Sequence, residues 1–219
     1  MRFVFLLLLP ILIYGKAPIA YSFSSKDKPL IVIDAGHGGI STGAKAHHPF
    51  CEEKRIALAT AFLTQKYLDQ LGYRTLLTRK SDIFLPLSKR ILIANRSPCL
   101  LFISIHFNSA KNPEASGMEV FYFEKEKGKK RSISSKKLAG LILTDLVKRT
   151  QAKSRGIKNG NLFVLREVKV PAVLVEGGFI TNFQERNLLK QRDYLDKIAR
   201  GIATGIDQYL KPKNVLGAS

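Results

Sequence analysis

The chain has 219 residues, 45% of them hydrophobic and 24% charged, with 36 Lys+Arg against 17 Asp+Glu and a net charge of +19. This apolar content excludes wholesale disorder, the length suits one domain with at most a tail, and two cysteines exclude a disulfide scaffold or a multi-cysteine zinc site. A basic excess of this size first suggests nucleic acid or an anionic surface as partner.

Met1-Arg2 precedes an apolar run from Val4 to Tyr14, and Ala20-Tyr21-Ser22 places small residues at the −3 and −1 positions of a cleavage site. A basic start, a short apolar run and then small residues form a secretory signal, assigned here to residues 1–22. The run falls short of the roughly 20 apolar residues that span a bilayer. Export to the periplasm or cell envelope is the expectation, in a compartment where Cys51 and Cys99 could pair.

Leu30-Ile31-Val32-Ile33 is a continuous apolar run of the kind found in a strand buried on both faces. Glu53 to Leu71 carries Ile56, Ala59, Leu63, Tyr67 and Leu71 at spacings of three and four, a helix that Gly72 can end. Arg74 to Arg79 is β-prone, Leu85 to Asn95 has helical spacing, and Leu100–Ile105 and Met118–Phe123 read as strands. Ser134 to Thr150 is predicted helical, Val170–Val175 a strand with Pro171 near its start, and Leu195 to Leu210 a closing helix. The prediction is a single α/β domain over residues 29–211, a mostly parallel central sheet with helices on both faces, followed by a loose tail at 212–219.

Ligands of open α/β sheets gather at the carboxyl ends of the strands. Asp34-Ala35-Gly36-His37-Gly38-Gly39, His106-Phe107-Asn108 and Glu176-Gly177-Gly178 follow three separate apolar runs, and Glu53 opens the first helix near the same edge. Two imidazoles and a carboxylate with one position left open form the ligand set of catalytic zinc, and His37, Glu53 and His106 supply it. One histidine alone would read as a hydrogen-bonded structural residue; two with two glutamates at one edge favour a site. His47-His48 lies in the polar loop before the helix and is a weaker candidate. The glycine-rich segment lacks a third fingerprint glycine, Ser41 standing there, and no Gly-Lys-Ser/Thr follows, which disfavours nucleotide binding.

Ile33-Asp34-Ala35-Gly36-His37-Gly38-Gly39, Glu53-Lys54, Ser104-Ile105-His106-Phe107-Asn108 and Val175-Glu176-Gly177-Gly178-Phe179-Ile180-Thr181-Asn182 resemble, in order, the motifs of zinc-dependent N-acetylmuramoyl-L-alanine amidases of the amidase 3 type. Thr78–Asp82 and Arg90–Asn95 are similar to that family's connecting segments. The resemblance implies Zn2+ held by His37, Glu53 and His106, with Glu176 as the catalytic carboxylate and peptidoglycan as substrate. Choosing Glu53 over Glu52 rests on the Glu-Lys pattern, since one residue turns a helix by about 100°. Ala35 stands where relatives carry Pro, and Gly177 where they carry a bulky aliphatic residue. The short charged stretch from Phe123 to Ser134 leaves no room for the autoinhibitory insert of some relatives, implying a monomer that needs no activator. Asn108 and Arg166 are the candidates for facing the substrate.

Two rivals stand beside this reading. Ser134-Ser135-Lys136-Lys137 matches the Ser-x-x-Lys of penicillin-binding enzymes, with Ser134 as nucleophile and Lys137 as its activator at a helix start, though no Lys-Thr-Gly accompanies it. A D-alanyl carboxypeptidase activity would follow. The other is a non-catalytic binder of an anionic polymer: Glu124–Lys158 holds 12 Lys/Arg against 3 Asp/Glu. That segment has no aromatic residue for base stacking, which with the export signal argues against nucleic acid and for an anionic wall or membrane surface.

Overall fold

The computed structural model describes residues 28–125 and 128–211; the signal at 1–22 and the tail at 212–219 lie outside the described residues. In chain order the elements are β1 (Leu30–Ala35), β2 (Lys45–His47), β3 (Phe50–Glu52), α1 (Glu53–Gln70), β4 (Arg74–Leu77), α2 (Leu87–Arg96) and β5 (Cys99–Asn108). They continue as β6 (Met118–Tyr122), α3 (Lys130–Thr150), β7 (Ser154–Asn159), α4 (Phe163–Glu167), β8 (Ala172–Phe179), α5 (Phe183–Leu189) and α6 (Arg192–Leu210). Six strands form one sheet in the order β4-β1-β5-β8-β6-β7. The first four of that order run parallel, whereas β6 pairs antiparallel with β8 and parallel with β7. The sheet is therefore mostly parallel, with a reversed pair along one edge.

Strand alternation sends the two faces of each buried run into different cores. Ile31, Ile33, Ile103, Ile105, Val173 and Val175 point into the larger core with Leu68, Leu138, Ile142, Ile198 and Ile202 from α1, α3 and α6. Val32, Phe102, Ala172 and Leu174 point the other way, onto Ala94 of α2 and Val164 and Leu165 of α4. Burying both faces explains why these strands read as unbroken apolar runs. Polar residues at the carboxyl ends break those runs, and their parity matters: Asp34, Ser104, His106 and Glu176 continue the rows that face α2 and α4.

Several elements differ from the sequence expectation. β7 (SRGIKN) carries no apolar run because it is an edge strand, where charge and partial exposure discourage further pairing. The loop before α1 contains the small β2–β3 hairpin. Ser134 does not open α3, which begins four residues earlier with Lys129 as its cap residue. Burial of Ser132 and Ser135 accounts for the longer helix: the Ser135 hydroxyl accepts the Ala172 amide of β8 at 3.1 Å, a tertiary contact that overrides a basic first turn unfavourable to the helix dipole. β5 and β8 run on through His106 and Glu176, so these residues sit within the last strand positions rather than beyond them.

The cysteines do not pair. Cys51 belongs to the larger core and Cys99 to the smaller one, and both are buried free thiols whose pKa burial pushes up. Both thiols are expected to resist a thiol-titrating reagent in the folded protein and to react once it is unfolded; a native mass lower by two hydrogens would contradict this.

Candidate active site

Three chain segments converge at the carboxyl edge of β1, β5 and β8. β1 ends at Ala35, and His37 follows with a left-handed φ of 59°, turning its ring back over the sheet edge. His106 is the eighth residue of β5 (CLLFISIHFN), and Glu53 occupies the first turn of α1, where the helix dipole favours a carboxylate. His37 Nε2 lies 3.1 Å and His106 Nδ1 2.8 Å from the same oxygen, Glu53 Oε1, and one ligand atom from each of the three residues falls within 4.8 Å of the others. The two rings meet edge to face with centroids 4.9 Å apart. Tetrahedral zinc with bonds of about 2.0–2.2 Å separates its ligand atoms by roughly 3.3 Å, so these donors fit a divalent ion by type and spacing.

The surroundings fix each donor. Ser41 Oγ lies 2.9 Å from His37 Nδ1, which orients the ring so that Nε2 faces Glu53. Glu53 Oε1 also accepts the Phe107 amide at 3.2 Å, and Oε2 accepts the Ala44 amide at 2.9 Å. Burial alone would raise the Glu53 pKa, but hydrogen bonds from His106 and His37 outweigh it and hold the carboxyl well below the usual range. Glu52 turns elsewhere, pairing with Arg55 at 3.0 Å. His47 and His48 are exposed and stand outside the cluster.

Glu176 lies opposite His106 in the β5–β8 ladder and opposite Glu119 in the β6–β8 ladder. Its Oε2 is buried without a hydrogen-bond partner, and burial, with Glu53 and then Glu119 nearby, pushes its pKa well above the ordinary carboxylate value. A carboxyl group held this way readily takes up a proton.

The Amidase_3 model, described as N-acetylmuramoyl-L-alanine amidase, matches residues 31–208. The chain belongs to this amidase family. It is 32% identical to the N-acetylmuramoyl-L-alanine amidase AmiA of Escherichia coli (strain K12), over 84% of this chain and 77% of that protein. It is 35% identical to an endolysin of Bacillus phage SPP1, over 87% of this chain and 69% of the phage protein. Among solved structures, the catalytic domain of CwlV from Bacillus (Paenibacillus) polymyxa var. colistinus superposes with a TM-score of 0.77 at 35% identity, covering 83% of this chain and 98% of that one. An N-acetylmuramoyl-L-alanine amidase from Clostridium difficile 630 gives a TM-score of 0.80 at 32% identity, covering 85% and 98%.

Within this amidase fold the remaining sequence candidates fall in different places. Asn108 is half-buried, and its amide donates to Glu119 Oε1 at 2.8 Å, so it braces the strand pair beside Glu176. Arg166, on α4, donates to Glu167 at 2.7 Å and Asn161 at 2.8 Å and lines a separate basin with Phe123 and Lys125, away from the histidines. Ser134 lies in the second turn of α3, and Lys137 is exposed with its ammonium 5.6 Å from the Tyr209 ring centroid. Phe107 fills the space beside Gly177: a Cβ there would lie 2.7 Å from its ring.

Residues that hold the amidase site in place escaped the sequence reading. Arg90 is buried and donates to Asp34 Oδ1 at 2.7 Å, the Ala35 carbonyl at 2.6 Å and the His37 carbonyl at 2.6 Å. Arg79, also buried, donates to the carbonyls of Ala35, Gly36 and Lys54 at 3.0, 2.7 and 2.8 Å. The two guanidiniums thus tie the His37 turn to α2 and to the first turn of α1. The signal was present in Thr78–Asp82 and Arg90–Asn95, segments similar to the family's connecting ones, but it gives these arginines no role of their own. Glu185 plays the same part after Glu176, accepting the Gly117 and Phe179 amides at 2.7 and 2.6 Å.

Gly43 has φ +66°, and a Cβ there would lie 2.3 Å from Glu53 Oε2 and 2.7 Å from His37 Cδ2. Gly43→Ala is therefore expected to push two donors apart and weaken metal binding by about 10–100-fold, the range typical of a disturbed ligand shell. Competition with a chelating indicator measures it; unchanged affinity would contradict the packing.

Proposed function

We propose that the protein is an exported, zinc-dependent hydrolase that cleaves the amide bond between the lactyl group of N-acetylmuramic acid and L-Ala of the peptidoglycan stem peptide. The observation that carries this reading is the meeting of His37, Glu53 and His106 beside Glu176, a carboxyl with a buried, unpartnered oxygen. His37 Nε2, Glu53 Oε1 and His106 Nδ1 would hold the ion. When bound, zinc supplies Lewis acidity that lowers the pKa of water to about 7 and polarises an amide carbonyl. Glu176 Oε2 accepts the proton of the attacking water and returns it to the leaving L-Ala nitrogen, without which the amine is a poor leaving group. Ser41, Arg79 and Arg90 keep the His37 ring aimed while the substrate enters.

The apolar run at 4–14 supports export, and among the described residues no helix is long and apolar enough to cross a membrane. The short connection from β6 to α3 supports action as a monomer without an activator. Exposed Lys136, Lys137, Lys148, Arg149 and Lys153 form a basic flank suited to an anionic wall or membrane surface. Arg155 and Lys158 do not join it, since both turn to the buried Glu119 at 3.0 and 2.5 Å. Sedimentation with isolated wall is expected to weaken steeply as salt shortens the Debye length from about 10 Å toward 3 Å, and insensitivity to salt would defeat the idea.

Removal of metal by a chelator tests the zinc assignment. Activity on peptidoglycan should disappear and return with added Zn2+, and native mass spectrometry should show one zinc bound by the wild type and none by His106→Ala. Full activity in the stripped protein would overturn it.

A further inference from the structure

Beside His37 and His106 opens a cleft of about 330 Å³ whose walls are apolar. One wall is the segment Phe84–Leu87 that leads into α2; the other is Leu162, Phe163 and Val164 at the start of α4. Phe84, Phe163 and Leu87, all on its walls, are 49%, 42% and 52% exposed. A concentration of exposed apolar side chains around a cleft that reaches the catalytic edge marks a binding surface.

We infer that this cleft is a glycan subsite, in which Phe84 and Phe163 pack against the uncharged C–H faces of the sugar rings on the muramic acid side of the scissile bond. The inference rests on the amidase reading above, which leaves two candidates for the space next to the metal: the sugar or the peptide. Charge separates them. A peptide brings at least its terminal carboxylate, and beyond the ion held by His37 and His106 no cationic side chain of the cleft is free to meet it. Arg90, the cation among its lining residues, is committed to Asp34 and to the carbonyls of Leu85, Ala35 and His37. Arg166 and Lys125 line a separate basin with Phe123. An N-acetylated sugar, uncharged and with apolar ring faces, matches walls of this kind.

The Phe84 wall is packed against the turn that carries His37. A Cβ on Gly39, in the turn after His37, would lie 2.5 Å from the Phe84 backbone nitrogen, so the ligand turn and the Phe84 wall are packed as one unit. The Phe163 ring rests against the Arg166 guanidinium at 5.2 Å. The Phe84 backbone is thus set by the ligand turn, and the cleft between the two rings opens toward the histidines.

The test is NMR titration of the wild type and of Phe84→Ala, Phe163→Ala and Phe84→Trp. The probes are a peptide-free strand of alternating N-acetylglucosamine and N-acetylmuramic acid and, separately, the stem peptide without sugar. The glycan is expected to shift the Phe84 and Phe163 ring resonances of the wild type. Each alanine variant should bind it about tenfold more weakly, as loss of one aromatic contact implies, and Phe84→Trp should retain binding. Absence of ring shifts, equal binding by the alanine variants, or ring shifts produced by the sugar-free peptide would each overturn the subsite. Hydrolysis of muropeptide by the zinc-loaded wild type is scored in parallel. Normal hydrolysis with a failed glycan titration removes the subsite alone, whereas a glycan that binds without any amide cleavage removes the amidase reading.

Discussion

Glu176→Gln is expected to lower kcat/KM on muropeptide by about 10²–10⁴-fold, the contribution of a positioned general acid–base, while zinc content stays at one ion per chain. The amide is isosteric with the carboxyl, so the strand pairing with His106 and Glu119 is preserved and only the capacity to take a proton is lost. Zinc stays because Glu176 is not among the three clustered donors. Steady-state kinetics beside elemental analysis of the same preparations check both halves. A variant that loses zinc together with activity would make Glu176 part of the metal shell, and one that keeps activity would remove it from the mechanism.

The largest expected effect on stability comes from Asp34→Ala. Asp34 is 1% exposed and accepts hydrogen bonds from Thr78, Arg90 and Ser104 at 2.6, 2.7 and 2.8 Å. Removing it leaves the Arg90 guanidinium, 3% exposed, without its carboxylate. Breaking one side of a buried, hydrogen-bonded ion pair costs about 3–5 kcal/mol, because the remaining charge stays desolvated. Urea unfolding should show a midpoint shift of that size, and activity should fall further than stability alone explains, since Arg90 also anchors the His37 carbonyl. A change below about 1 kcal/mol, the range of ordinary substitutions, would show that Arg90 finds other partners.

The fold was legible wherever burial wrote itself into composition. Leu30–Ile33, Leu100–Ile105 and Val173–Val175 are apolar because both sheet faces are covered, and the polar residues ending those runs marked the site edge. His106 could be named for the same reason, whereas Glu53 rested on the Glu53-Lys54 pattern of the resemblance. What escaped notice lacked that signature. β7 is a polar edge strand, and α4 and α5 are too short for a helical period. The start of α3 is set by tertiary contacts of Ser132 and Ser135 rather than by a cap. Asn108 and Arg166, the candidates for facing the substrate, each hold a neighbour in the structure, a contact that sequence does not show. The neighbours are Glu119 and Asn161. Arg79 and Arg90 are buried clamps on the ligand turn, and only three-dimensional structure shows the backbone carbonyls they serve. The basic excess divides in the same way: part of it is a solvated flank, and part, through Arg155 and Lys158, neutralises Glu119 next to the catalytic edge.

The central claim is that the converged ligands and Glu176 cut one particular amide, and mass spectrometry of a digested disaccharide–peptide tests it most directly. The account predicts two products from one added water, a peptide with a free L-Ala amino terminus and a disaccharide with a free lactyl carboxylate. Release of D-Ala from the peptide end, or of the separated sugars, would contradict it.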